Sequence, residues 1–110
     1  MNTVKILQVL TKYEALLSAR QEPVRIDNVP SDIQHHRDKR LDHILWMCIQ
    51  AKTFLSDPNI PEEKVVSRKE KAFRWLGFIQ CGLWMCDVLT IDQMKDDNKP
   101  DDEVFEKGRI

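Results

Sequence analysis

Three histidines and three cysteines are the side chains of this 110-residue chain best suited to holding a metal or acting as nucleophiles. His35, His36 and His43 stand ahead of Cys48 in a stretch whose apolar spacing reads as helix. Metal ligands on one helix want a spacing of three or four residues, as in His-Glu-x-x-His. His36 and His43 are seven apart, two turns, and would need further ligands from another helix; none stands out. Cys81 and Cys86 lie in an uncharged apolar run. A reactive thiolate needs a cationic or helix-N-terminal setting, so both are expected to be buried packing residues. Cys48, His43 and Asp42 supply the residue types of a nucleophilic triad, but close neighbours on one helix point to different sides. No catalytic residue, metal or cofactor is expected.

Charge gives a sharper signal. Lys64, Arg68, Lys69, Lys71 and Arg74 face a single Glu70, a net charge of +4 over residues 64–74. Such a helix can bind carboxylates or phosphates, and arginine does so through paired hydrogen bonds. These five residues are therefore the expected partner-binding set. Reversing Arg68 and Lys71 to Glu should weaken binding and leave the melting temperature nearly unchanged. Residues 91–106 are the counterpart, with Asp92, Asp96, Asp97, Asp101, Asp102, Glu103 and Glu106 against Lys95 and Lys99. That acidic end can neutralise the basic stretch within a chain or between subunits.

The elements that must position these groups are helical. Few glycines, prolines confined to junctions and a length of 110 residues suit one all-α domain over residues 1–100, with a mobile charged tail over 101–110. Net charge is −1, which by itself argues neither for nor against nucleic acid. An odd cysteine count without paired spacing suits a reducing cytoplasm. The apolar run is too short to span a bilayer, and Lys12 and Glu14 interrupt the first segment too early for a signal peptide.

Ile6, Val9, Leu10, Tyr13, Leu16 and Leu17 define an amphipathic helix over 3–20. A proline-bounded connector follows over 21–30. Ser31 and Gln34 form a capping box for a helix to about Ser56, with Leu41, Ile44, Leu45, Cys48, Ile49 and Leu55 facing the core. Asn59 is the expected cap of a helix reaching Leu89, its inner face Val65, Ala72, Trp75, Leu76, Ile79, Leu83 and Cys86. Gly77 and Gly82 should mark close approach of a neighbouring backbone. Thr90 and Gln93 repeat the capping box for a short last helix. The architecture is then a helical bundle built on a long antiparallel hairpin, flanked by an N-terminal and a short C-terminal helix.

From Trp75 to Cys86 there is no charge on any side of the helix. A helix buried on one face keeps its charges on the other, so this one should be wrapped all round or covered by a second copy. Trp46, Met47, Phe78, Trp84 and Met85 are the residues expected to drive self-association, most simply as a dimer.

The segments His43–Cys48, Arg74–Gln80 with Leu83 and Trp84, Thr90–Lys95 with Asn98 and Pro100, and the connector Glu22–Ile26 resemble a family of small helical accessory proteins of tailed bacteriophages and prophages. The likeness covers most of residues 22–100. It differs at Cys81 and Asp87, where glycine is usual in the family pattern. The resemblance implies no activity, only a setting: the cytoplasm of an infected bacterium, where small early proteins inhibit or redirect host machinery or defence. The expected function is a non-enzymatic protein that inhibits or modulates a bacterial host or defence protein. The alternative is a nucleotide or nucleic-acid binder that sequesters its ligand on the basic helix.

Overall fold

Each apolar stripe closes into a helix, and the helices pack as a bundle. The computed structural model of the chain describes residues 1–26 and 36–100, with the backbone alone for His36. The Ser31–Gln34 capping box, His35, the end of the connector and the 101–110 tail lie outside the described residues. Four helices follow in order: α1 (Thr3–Ser18), α2 (His36–Ser56), α3 (Glu62–Met85) and α4 (Ile91–Asn98).

The hairpin is antiparallel, as its cross-contacts show. Arg37 at the start of α2 donates from Nε and Nη2 to the Cys86 carbonyl at the end of α3, at 3.2 and 3.0 Å. Further along, the Phe54 and Trp75 rings meet edge to face at 4.8 Å. Arg37 thus places a cation at the negative end of α3 and occupies one of its free carbonyls. Helix α1 also runs antiparallel to α2: Lys52 pairs with Glu14 at 2.7 Å, and Gln21 reaches Asp42 at 2.6 Å.

This makes α2 the middle helix, packed most extensively on α3 and next on α1. Its second apolar face is therefore used within the chain. Met47 is 7% exposed and belongs to the core, while Trp46 and Phe54 pack half-buried against it. Met47 is thus covered within one chain and Trp46 in part, which leaves little of this pair for a second copy to cover. The remaining core faces follow the expected pattern with three exceptions. Leu16 and Val65 are exposed, as is Cys81. Leu16 sits at the edge of the α1 stripe, and Val65 precedes the stretch of α3 that the core covers.

Helix ends depart from expectation at α3. Asn59 does not cap it. Instead its own amide donates to Asp57 Oδ1 at 2.9 Å in the preceding turn, and the cap position falls to Pro61, with no side-chain bond. The helix also stops at Met85, short of Leu89. Asp87 adopts a positive φ of 62°. Val88 N then donates to Leu83 O at 2.8 Å and Asp87 N to Trp84 O at 3.0 Å. This bond pair is a Schellman motif, with aspartate where glycine is the usual residue. At α4 the capping box forms in full: Gln93 N donates to Thr90 Oγ1 at 3.1 Å and Thr90 N to Gln93 Oε1 at 2.8 Å. Among the described residues no helix is long and apolar enough to cross a membrane.

The two glycines of α3 serve different ends. A Cβ at Gly82 would lie 2.5 Å from Ile44 Cδ1, so the close approach there is by a side chain of α2. A Cβ at Gly77 would meet nothing within 4 Å among the described residues. Gly77→Ala should therefore stabilise the dilute protein by about 1 kcal/mol through helix propensity alone. Gly82→Ala should forfeit that gain, falling about 1–3 kcal/mol below Gly77→Ala because the buried Ile44 must move. Thermal unfolding of the two variants, with Ile44→Val added to Gly82→Ala as a rescue, measures the difference. Equal effects at both positions would contradict the assigned contact.

Candidate functional site

The outward half of α3 carries most of the groups that could meet a partner. At about 100° per residue, positions seven apart fall nearly in line along a helix. Lys64, Lys71, Phe78 and Met85 form one such line, and Arg74 sits beside it, three residues after Lys71 and four before Phe78. All five are exposed, with Phe78 at 60% and Met85 at 63%.

The five cations of residues 64–74 do not share one face. Arg68, four residues after Lys64 and three before Lys71, borders the same line but is half-buried, while Lys69 is half-buried on another side, beside Met1. Lys64, Lys71 and Arg74 are the fully exposed cations on or beside the line. Lys71 is also engaged: its Nζ lies 4.3 Å from the Phe54 ring centre and 5.7 Å from that of Trp75. A cation over an aromatic face contributes about 0.5–1 kcal/mol at an exposed site. Reversing Lys71 to Glu therefore costs stability as well as charge, and the expectation of an unchanged melting temperature does not hold at that position.

The self-association residues divide as well. Trp84, 45% exposed, lies about a third of a turn from Phe78 and Met85. It shares its line with Gly77 and lies next to that of Val66 and Phe73. Within one chain α3 is not wrapped on every side: its inner side is core and its outer side is open, which leaves the alternative of cover by a second copy.

At the junction of α1, α3 and α4 stands a polar cluster that the residue types did not announce. Gln80 is 8% exposed, the one polar residue among the buried positions described. Its Nε2 donates to Tyr13 Oη at 3.0 Å and to Asn98 Oδ1 at 2.6 Å, and Asn98 Nδ2 returns a bond to Gln80 Oε1 at 3.0 Å. Tyr13 donates to Asp97 Oδ2 at 2.8 Å, and Lys12 pairs with the other carboxylate oxygen. Burial, chiefly, and the neighbouring Asp97 carboxylate push the Tyr13 phenol well above its ordinary range, so it stays a donor. The only signal in the sequence was a lone Gln in an apolar run.

The candidate nucleophiles stand apart from one another. Cys48 is fully buried; desolvation first, then the Glu14 carboxylate, push its thiol up to about 12. Cys86 is buried and raised by the same cause. Cys81 lies on the open face of α3 rather than in the core. His43 Nδ1 accepts from Ile26 N at 3.0 Å, and its ring stacks on Trp46 at 5.4 Å, which ties the connector to α2. Among the described residues no three of His, Cys, Asp and Glu gather so as to hold a metal ion.

Compared with protein-family models, curated proteins and solved structures, the chain matches none.

Proposed function

We propose that this chain is a non-enzymatic binding protein of phage type that modulates a host or defence protein in the bacterial cytoplasm, through the Lys64–Lys71–Phe78–Met85 line with Arg74. One observation carries the reading: exposed cations and large exposed apolar side chains share one ordered helix face. Protein interfaces combine an apolar centre, rich in aromatics and Met, with a polar rim, and Arg is favoured there. The face fits a partner surface that pairs carboxylates with an apolar recess. Nucleic acid fits it less well, because two of the four positions on the line, Phe78 and Met85, are apolar and leave no continuous run of cations for a phosphate backbone. The phage setting comes from the resemblance in His43–Cys48 and Arg74–Gln80.

Lys64→Glu with Arg74→Glu should weaken capture of the partner from a bacterial lysate by about tenfold or more, the scale of losing one well-placed interface residue. Helicity should not change, since both side chains are exposed. Removing residues 101–110 should do much less. Loss of binding on that deletion alone would move recognition to the tail. Salt-sensitive retention of nucleic acid in place of a protein would favour the nucleotide or nucleic-acid alternative.

A further inference from the structure

The other open line of α3 has its own logic. Val66, Glu70, Phe73, Gly77, Gln80 and Trp84 follow one another at spacings of four and three, the seam of a coiled coil, with Gln80, bonded to Tyr13 and Asn98, the one buried position among them. Phe73 is 51% exposed, and Val66 and Trp84 are exposed beside it. A surface hollow lies at each end of this seam. One, of about 440 Å³, is lined by Met1, Val66, Lys69, Glu70, Phe73 and Arg74. The other is bounded by Gly77, Trp84, Ile91 and Met94. Gly77 is the anomaly: glycine costs about 1 kcal/mol in a helix interior, and none of the described residues occupies the space its missing side chain leaves.

We propose that a second copy of this chain packs along the seam, α3 against α3 and antiparallel, about a two-fold axis level with residue 75. The seam is self-complementary in that register alone. Position 73 then faces 77 of the other copy, and 66 faces 84, so each Phe73 enters the space over the other copy's Gly77 and each Trp84 the hollow beside Val66. A two-fold contact requires this reciprocity, because each residue meets its counterpart twice. A parallel pairing would set Phe73 against Phe73 and leave the glycines facing a void.

Charge selects the same arrangement. Residues 64–74 carry net +4, while α4 holds Asp92, Asp96 and Asp97 against Lys95, with Asp97 already paired to Lys12 and Asp96 to Lys99. Antiparallel packing brings the basic half of each α3 toward the acidic α4 of the other copy; parallel packing sets like against like. The seam lies a third of a turn from the Lys64–Met85 line and meets that surface only at Arg74, so substitutions at Phe73 and Gly77 test it separately.

The test is mass in solution. The wild-type chain should weigh twice its 13.0 kDa by light scattering at about 100 µM, where even a weak interface of this kind associates. Gly77→Glu alone and Phe73→Lys alone should each weaken the dimer roughly 30-fold or more, as loss of a central anchor does. Both positions are exposed, so circular dichroism should show unchanged helicity. Mixing the two variants should restore a dimer. In the antiparallel register the mixed pair keeps one Phe73–Gly77 junction intact and sets the introduced lysine against the introduced glutamate at the other. A monomeric wild-type mass at that concentration overturns the proposal, as does a dimer indifferent to both substitutions. A mixture that stays monomeric overturns the antiparallel register.

Discussion

Replacing Gln80 with Leu is expected to cost about 2–3 kcal/mol, although it puts a larger apolar side chain into an apolar helix. The reason is what Gln80 leaves behind. Its amide donates to Tyr13 and Asn98 and accepts from Asn98. Leucine would strand the Asn98 amide and remove one of the two hydrogen bonds at the phenol. An unsatisfied buried polar group costs about 1–3 kcal/mol, more than a typical bond contributes when made. Helix α4 is otherwise held by the bonds of Asp97 to Tyr13 and Lys12 and by the half-buried Met94, since none of its eight residues is fully buried. The variant should melt roughly 10 °C lower, and the amides of α4 should exchange with solvent faster than those of α2. Asn98→Ala should give a smaller loss, because Gln80 keeps Tyr13. A Gln80→Leu protein as stable as the parent, with α4 still protected, would show that the amide pair is incidental.

The second large effect is alkaline. Cys48 and Tyr13 both titrate higher in the folded chain than their ordinary values of 9.0 and 10.0, the thiol at about 12. A group whose pKa is raised by folding keeps its proton in the native state while the unfolded chain loses it. Stability is then fully present below the unfolded value and falls as pH rises through the gap between the two. The fall should begin near pH 9 with Cys48 and steepen past 10 as Tyr13 joins, each group contributing about 1.4 kcal/mol per pH unit. Cys86 adds in the same direction. Denaturant unfolding from pH 7 to 11 should show a plateau and then a steep decline. Cys48→Ala should start less stable at pH 7, through lost packing, yet decline less between pH 9 and 10. A parent curve that stays flat to pH 11 would mean the thiol and the phenol reach water in the folded chain.

What could be read in advance followed local rules. The stripe of α1, the core faces of α2 and α3 and the Thr90–Gln93 box each depend on residues within one or two turns, so spacing alone revealed them. The errors arose where distant parts decide. The Trp46–Met47 surplus looked like an interface because the order of packing, with α2 in the middle, is not written in α2. Lys71 looked like a spare cation because Phe54, its ring partner, belongs to another helix. The Tyr13–Gln80–Asn98–Asp97 cluster draws on three helices and left only one polar letter in an apolar word. Asp87 was missed for a different reason. Aspartate takes a left-handed backbone less readily than glycine does, so nothing in its type announced the helix stop.

The bonds from Lys12 and Tyr13 to Asp97 span 85 and 84 positions of chain. During synthesis at 5–20 residues per second, Asp97 emerges about 4–17 s after Tyr13. Helical hairpins rich in local contacts form in microseconds to milliseconds. The nascent chain therefore spends seconds with α1, α2 and much of α3 free to fold while the edge that α4 will seal stays open to water. Translation speed, rather than folding speed, sets how long Tyr13 and Gln80 wait for their partners, and slow codons before Asp97 would lengthen the interval in which a chaperone can hold that edge.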